Sequence, residues 1–140
     1  MKVSFKISGP FFQHGPKPVL DALHGAVQET VLEGEKHAVT MAQPRDRGGV
    51  FHSGAYAAGH GYKQTGHYAR SIHGAMQGSL HGVISDSNVV YGPWLEGVSS
   101  RNDASRFKGY GIFRKTRDKL QRLSGVILEK YIRRAVGRLN

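Results

Sequence analysis

The sequence predicts an α+β protein, a small antiparallel β-sheet packed by an N-terminal helix and a long C-terminal amphipathic helix, with a long Gly-rich arm. Three observations carry that reading. Met1 to Ser8 and the run 67–86 alternate apolar with polar residues at the two-residue period of a strand. The runs 18–41 and 110–139 place apolar residues at three- and four-residue steps, the period of a helix. The stretch 43–64 follows neither period and holds five Gly.

In chain order, Val3, Phe5 and Ile7 lie on one side of the first strand and Lys2, Ser4 and Lys6 on the other, and Gly9-Pro10 ends it. Phe11-Phe12 passes through a loop marked by Gly15, Pro16 and Pro18. Pro18 suits the first turn of a helix, where its missing N–H costs nothing. Val19, Leu20, Leu23, Ala26, Val27, Thr30 and Val31 then form one apolar stripe, weakened at Gly25 and Gly34 by ~1 kcal/mol each relative to Ala. Pro44 closes this helix.

The segment Gln43–Gln64 spaces Phe51, Tyr56 and Tyr62 among glycines and reads as a projecting arm whose aromatics order against a neighbour. His67 to Met76 is expected as a strand, with Tyr68, Arg70, Ile72 and Gly74 on one face. Gln77-Gly78-Ser79 is its hairpin connection, and Leu80 to Asp86 returns with Leu80, Gly82 and Ile84 in phase. Asp86-Ser87-Asn88 offers capping oxygens before a short helix starting near Tyr91. A polar loop spans 97–109. The last helix lines up Phe113, Leu120, Leu123, Ile127, Tyr131 and Ala135, while Lys115, Lys119, Arg122, Lys130 and Arg133 cluster on another face. No internal repeat is present, and 140 residues fit one domain.

Composition narrows the function classes. Twenty Lys+Arg against ten Asp+Glu give a net charge of +10, which calls for acidic partners, nucleic acid or complementary protein surfaces. A 39% apolar fraction with 19 Gly points to a modest core and loops that order against partners. The absence of Cys excludes disulfides, thiolate nucleophiles and Cys-based zinc sites. No run reaches the ~20 apolar residues of a membrane span. The N-terminus lacks a signal-peptide pattern, so the expectation is a soluble protein made in the cytosol.

The eight His (His14, His24, His37, His52, His60, His67, His73, His81) never fall at the HxxxH or HxH spacing of a metal site. Neither GxSxG nor a phosphate-cradling GxxxxGK[ST] occurs, and the carboxylates are scattered. The reading is therefore a non-enzymatic protein without metal or cofactor. Glu96, next to Trp94 in the sequence region, is expected to face Arg101 or Arg106 in a structural ion pair.

The stretch Val89–Lys115 stands apart. It contains the only Trp, two Tyr, two Phe and Glu96 among basic neighbours, the texture of a docking surface rather than of a catalytic centre. Its opening run, Val89-Val90-Tyr91-Gly92-Pro93-Trp94-Leu95-Glu96-Gly97, is similar to the "YAPYVEfGT" signature of the neck, or head–tail joining, proteins of long-tailed bacteriophages. Thr65-Gly66-His67-Tyr68-Ala69-Arg70-Ser71-Ile72 resembles that family's "TGxLxxSI" strand, and Gly82-Val83-Ile84-Ser85-Asp86 its hairpin return. Arg106-Phe107-Lys108-Gly109-Tyr110 and Phe113-Arg114-Lys115 resemble the version found in phages of actinobacteria, as does the basic tail at Tyr131-Ile132-Arg133-Arg134 and Leu139-Asn140. The likeness is close from Thr65 onward and elsewhere follows the order of elements. Trp94 stands where the family usually has Tyr, and Gly97-Val98 where it has Gly-Thr.

The resemblance implies a structural virion protein at the head–tail junction. Its partners would be other copies of itself in a ring, generally hexameric, together with portal-side connector and tail-tube proteins. DNA would pass through the lumen without sequence-specific binding. On that reading Tyr91, Trp94, Leu95, Glu96, Arg101, Arg106, Phe107 and Tyr110 make the subunit contacts, and Arg45, Arg47 and Lys63 lie near the DNA. The rival from another class is a small basic nucleic-acid-binding protein, in which the same cations neutralise phosphates and the arm aromatics stack bases.

Overall fold

The computed structural model describes residues 1–8, 16–61 and 63–139; of Leu139 it describes the backbone. The Phe11-Phe12 loop, His14 and Tyr62 lie outside the described residues. Strand β1 (Lys2–Lys6) pairs antiparallel with β3 (His81–Ser85), which pairs on its other side with β2 (His73–Gly78), so β3 is central in the order β1-β3-β2. Val3 and Gly74 both face Ile84 across the ladders. The β2–β3 turn is Ser79-Leu80, later than the expected Gln77-Gly78-Ser79, with a register shift between Met76 and Gly78.

Helix α1 (Lys17–Met41) buries Ala22, Leu23, Ala26, Val27, Thr30, Val31, Gly34 and Ala38, the stripe its periodicity sets out. It packs on β2 and β3 and runs alongside the last helix, α6 (Ile112–Leu139), which buries Ile112, Phe113, Leu120, Ile127 and Ala135. The architecture is thus the expected one: a three-stranded antiparallel sheet packed by an N-terminal and a long C-terminal helix.

Gly34 and Gly25 have a packing reason rather than a helical one. A Cβ on Gly34 would collide with Ile84 Cδ1 and lie 2.7 Å from Leu120 Cδ1; one on Gly25 would lie 2.5 Å from Tyr131 Cε1. The two helices and the sheet approach more closely than any side chain there would permit. Polar clasps fix the same layers. Glu35 Oε2 accepts the Gly74 N–H of edge strand β2 at 2.8 Å, and Lys130 Nζ donates to both Glu29 oxygens at 2.5 and 2.6 Å. Hydrogen bonds from Lys130 and then Tyr131 hold the Glu29 carboxyl below its ordinary range, and the bond to Glu29 raises the Tyr131 phenol.

Four local expectations are corrected. Residues His67–Ser71 form a short helix, α3, not the first half of a strand; only His73 onward extends. Tyr68 and Ala69 are its buried positions, and Ile72, also buried, is the extended residue that ends it. The supposed projecting arm folds back on the body. Backbone bonds Phe51 N–H to Gln43 O and Arg45 N–H to Phe51 O close it around a 3₁₀ turn, Arg45–Arg47. Helix α2 (Gly54–Gly59) follows, capped by the Ser53 side chain, and Ala57 is buried. The polar loop holds a helix, α5 (Ser100–Ala104), started by a Ser99/Asn102 capping box. Asp86, expected as a helix cap, instead sits buried at the end of β3, accepting from the Met1 amino group (2.8 Å), Asn88 N–H (3.2 Å) and Tyr68 O–H (3.3 Å).

Two tests follow from this packing. Gly34→Ala should lower stability by about 1–3 kcal/mol through overpacking, although Ala is the better helix former. Gly125→Ala on α6, where an added Cβ meets nothing within 4 Å, should raise stability by up to ~1 kcal/mol. Urea unfolding of both variants checks the pair, and equal signs would refute the close-approach account.

His37 bonds through Nδ1 to Thr116 Oγ1 at 2.9 Å across the α1–α6 interface. Burial, and then the nearby Lys119 charge, hold its pKa below the ordinary 6.5. The unfolded chain therefore takes up the proton first as pH falls. The stabilising contribution is present above pH 6.5 and is lost as pH falls through the folded-state value. Melting curves between pH 7.5 and 5 should show a smaller acid-induced loss for His37→Gln than for the native chain.

Candidate docking surface

Helix α4 (Gly92–Glu96) is short and would not stand alone. What fixes it is its last residue. Glu96, 4% exposed, directs its carboxylate at the start of α6, where Oε2 accepts the Phe113 N–H at 2.9 Å and Oε1 the Arg114 N–H at 2.8 Å. An anion on the unpaired N–H groups of a helix N-terminus meets both the hydrogen-bond demand and the helix dipole. The expected ion pair with Arg101 or Arg106 does not form; both arginines are exposed and neither has an ion-pair partner among the described residues.

The loop that follows closes on itself. Gly97 (φ +92°) and Gly109 (φ +83°) cross so tightly that a Cβ on Gly109 would overlap the Gly97 backbone, a conformation and a contact open to Gly alone. Tyr110 N–H donates to Leu95 O at 2.6 Å. Inside the loop, buried Asn102 donates from Nδ2 to Trp94 O (3.0 Å) and Phe107 O (3.1 Å), while its Oδ1 accepts Ser99 N–H (3.0 Å). One amide thus ties the Trp94 helix to the Phe107 strand of the loop.

On this scaffold the aromatics make a continuous belt. Trp94 packs on Phe107 (centroids 4.6 Å apart), Phe107 on Tyr110 (4.8 Å), Tyr110 on Phe51 (5.0 Å), Phe51 on Tyr68 (6.3 Å) and Tyr68 on Tyr91 (5.9 Å). His67 Nδ1 bonds Tyr91 Oη at 2.7 Å. The belt borders a cleft of about 560 Å³ between the folded-back arm and α4. Burial, and then the negative charge of Asp86, hold the Tyr68 phenol far above its usual value, so it stays protonated and donates.

The structure sorts the residues singled out in the sequence. Tyr91, Trp94, Phe107 and Tyr110 come together in the belt. Glu96 lies in the interior, where it holds the surface without being part of it, and Leu95, 9% exposed, meets the cleft from below. Arg101 and Arg106 are exposed on and after α5. Phe51 joins the belt and is half-buried within its own chain; Tyr56 stays exposed, stacked between His52 and His60 at 4.1 and 4.0 Å. Arg45, Arg47 and Lys63 are all exposed. Tyr68, Asn102 and Asp86 are structural members of the site that the sequence did not single out. The Ser99-x-x-Asn102 spacing is a capping-box signal for Asn102; Tyr68 and Asp86 meet only through tertiary packing. Among the described residues no group of three or more His, Asp or Glu is placed to hold a metal, and no helix is long and apolar enough to cross a membrane.

Comparisons with protein-family models, curated protein sequences and solved structures return no match. Function is therefore argued from this surface.

Hydrogen bonds to a charged group contribute about 1.5–3 kcal/mol each. Glu96→Ala, which strands two N–H groups at the head of α6, should therefore cost on the order of 3 kcal/mol in urea unfolding. Glu96→Gln, which keeps one carbonyl acceptor, should cost less. An unchanged midpoint for Glu96→Ala would remove the capping role.

Proposed function

We propose that this protein is a non-enzymatic ring subunit of a phage head–tail connection, joining portal-side connector and tail-tube proteins as a neck or tail-terminator component of the virion. The observation that carries the reading is an exposed apolar strip held on an ordered scaffold. Val90 is 95% exposed, Val98 64%, Tyr91 42% and Trp94 37%. All four lie in the segment whose sequence resembles the neck proteins. Apolar groups that are both exposed and rigidly placed mark a contact surface. A disordered linker would hold them loosely, and a solvated loop would carry few of them.

A closed ring is built from heterologous contacts, one patch meeting a different patch on the next copy. The Val90–Val98 strip supplies the first patch. Because Phe51 is engaged inside its own subunit, the arm's share of the contact falls to exposed Tyr56 and its flanking histidines. Arg45, Arg47 and Lys63 are the cations offered to DNA in the lumen, and +10 of net charge supports proximity to polyanions. Reading no sequence, such a surface needs no groove-reading helix.

Light scattering over a range of concentrations at two salt levels tests the reading. A hexamer-sized species is expected, alone or on addition of portal-side protein, and Trp94→Ala should abolish it. A chain that stays monomeric with those partners, and whose DNA affinity falls linearly in log salt, would instead be a nucleic-acid-binding protein.

A further inference from the structure

The cleft beside the strip has a composition of its own. Its floor is apolar, formed by Phe51, Tyr68, Leu95 and Tyr110, and its rim carries Arg47 and Lys63 against a single carboxylate, Asp46. Neither Arg47 nor Lys63 has an ion-pair or hydrogen-bond partner for its side chain among the described residues. About 560 Å³ is the size of a pocket that seats one or two large side chains.

Few of the chain's own acids are left to neutralise that rim in a neighbouring copy. Of its ten carboxylates, Asp21, Glu29, Asp118 and Glu129 are paired with Lys or Arg, Asp86 with the Met1 amino group, and Glu35 and Glu96 with backbone N–H groups. Glu33, Asp46 and Asp103 remain, and Asp46 is already on the rim. A nucleic acid fits the floor poorly. The Phe51 ring packs against Tyr68 and Tyr110 with centroids 6.3 and 5.0 Å apart, and Tyr68 is buried, so little open ring face is left for a base to stack on.

We propose that this cleft is the docking site for an acidic peptide segment of a different protein. An apolar side chain of that segment seats on the Phe51–Tyr110 floor, and its carboxylates meet Arg47 and Lys63, which leaves Arg45, outside the cleft lining, as the cation facing the DNA. Apolar contact gives the segment its anchor, and the unpaired cations select it by charge. The inference rests on the reading of this face as a docking surface and adds the chemistry of what docks there.

Trp94, the chain's only Trp, lines the cleft and reports on it. The probe is a short synthetic peptide of alternating Glu and Asp with one central Phe, titrated against the full chain while Trp94 emission is followed. A saturable change is expected. It should weaken by about tenfold or more for the Gln/Asn version of the peptide and for the Arg47→Glu, Lys63→Glu double variant, with circular dichroism showing that the variant is folded. No saturation at millimolar peptide overturns the proposal. A tighter response to oligothymidylate overturns it in favour of nucleic acid. Self-association that blocks the peptide response overturns it in favour of a second copy seated in the cleft. Light scattering of the same samples separates the two readings. A ring that ignores the peptide defeats only the cleft assignment, and a monomer that binds it defeats only the ring.

Discussion

The carboxylate of Glu96 is the interaction on which the rest of the structure depends. It ends a helix of only five residues and starts one of 28, accepting two N–H groups that the long helix α6 has no internal partner for. Through it the position of Trp94 and the direction of α6 are set together. The Gly97–Gly109 crossing then closes the intervening loop at its base, and Asn102 fills its centre. Each contact is modest alone, yet each removes a freedom that would let the aromatic surface drift relative to the core.

From α6 the constraint passes into the layers. Gly34 and Gly25 let α1 come close to the sheet and to α6, and Val31 of α1 sits where a side chain on either Gly74 or Gly82 would be. The sheet is therefore covered by backbone-near packing of small residues, which suits a chain of low apolar content. Close approach raises dispersion contact without large side chains. Glu29–Lys130 and Glu35–Gly74 then hold the layers at their partly exposed edges.

The functional face is the outcome of these two constraints. A belt of six aromatic rings links elements from three regions of the chain, the arm, the α3 turn and the stretch from Tyr91 to Tyr110 that runs from the start of α4 to the head of α6. One side of it is sealed into the core through Tyr68 and Asp86, and the other leaves Trp94, Tyr91, Val90 and Val98 in solvent. A surface so held has little ordering entropy left to lose on association. Arg47 and Lys63 stand at the cleft beside this apolar area.

The sequence by itself determined the two long helices, the strands β1 and β3 and the aromatic texture of residues 89–115, because each is written in a local period or a local composition. It could not decide the state of 67–72. Tyr68 and Ile72 are four apart, a spacing that satisfies both the two-residue strand period and the helical i, i+4 step, and the burial of Ala69 together with the exposure of Arg70 is what departs from the strand pattern. It could not foresee that the Gly-rich segment folds back, since Phe51 is held by Tyr68 and Tyr110, distant in the chain. Nor could it find the partner of Glu96. Side-chain charge suggested an arginine, and the tertiary structure supplied two backbone N–H groups, donors that every residue but Pro carries and no sequence pattern marks.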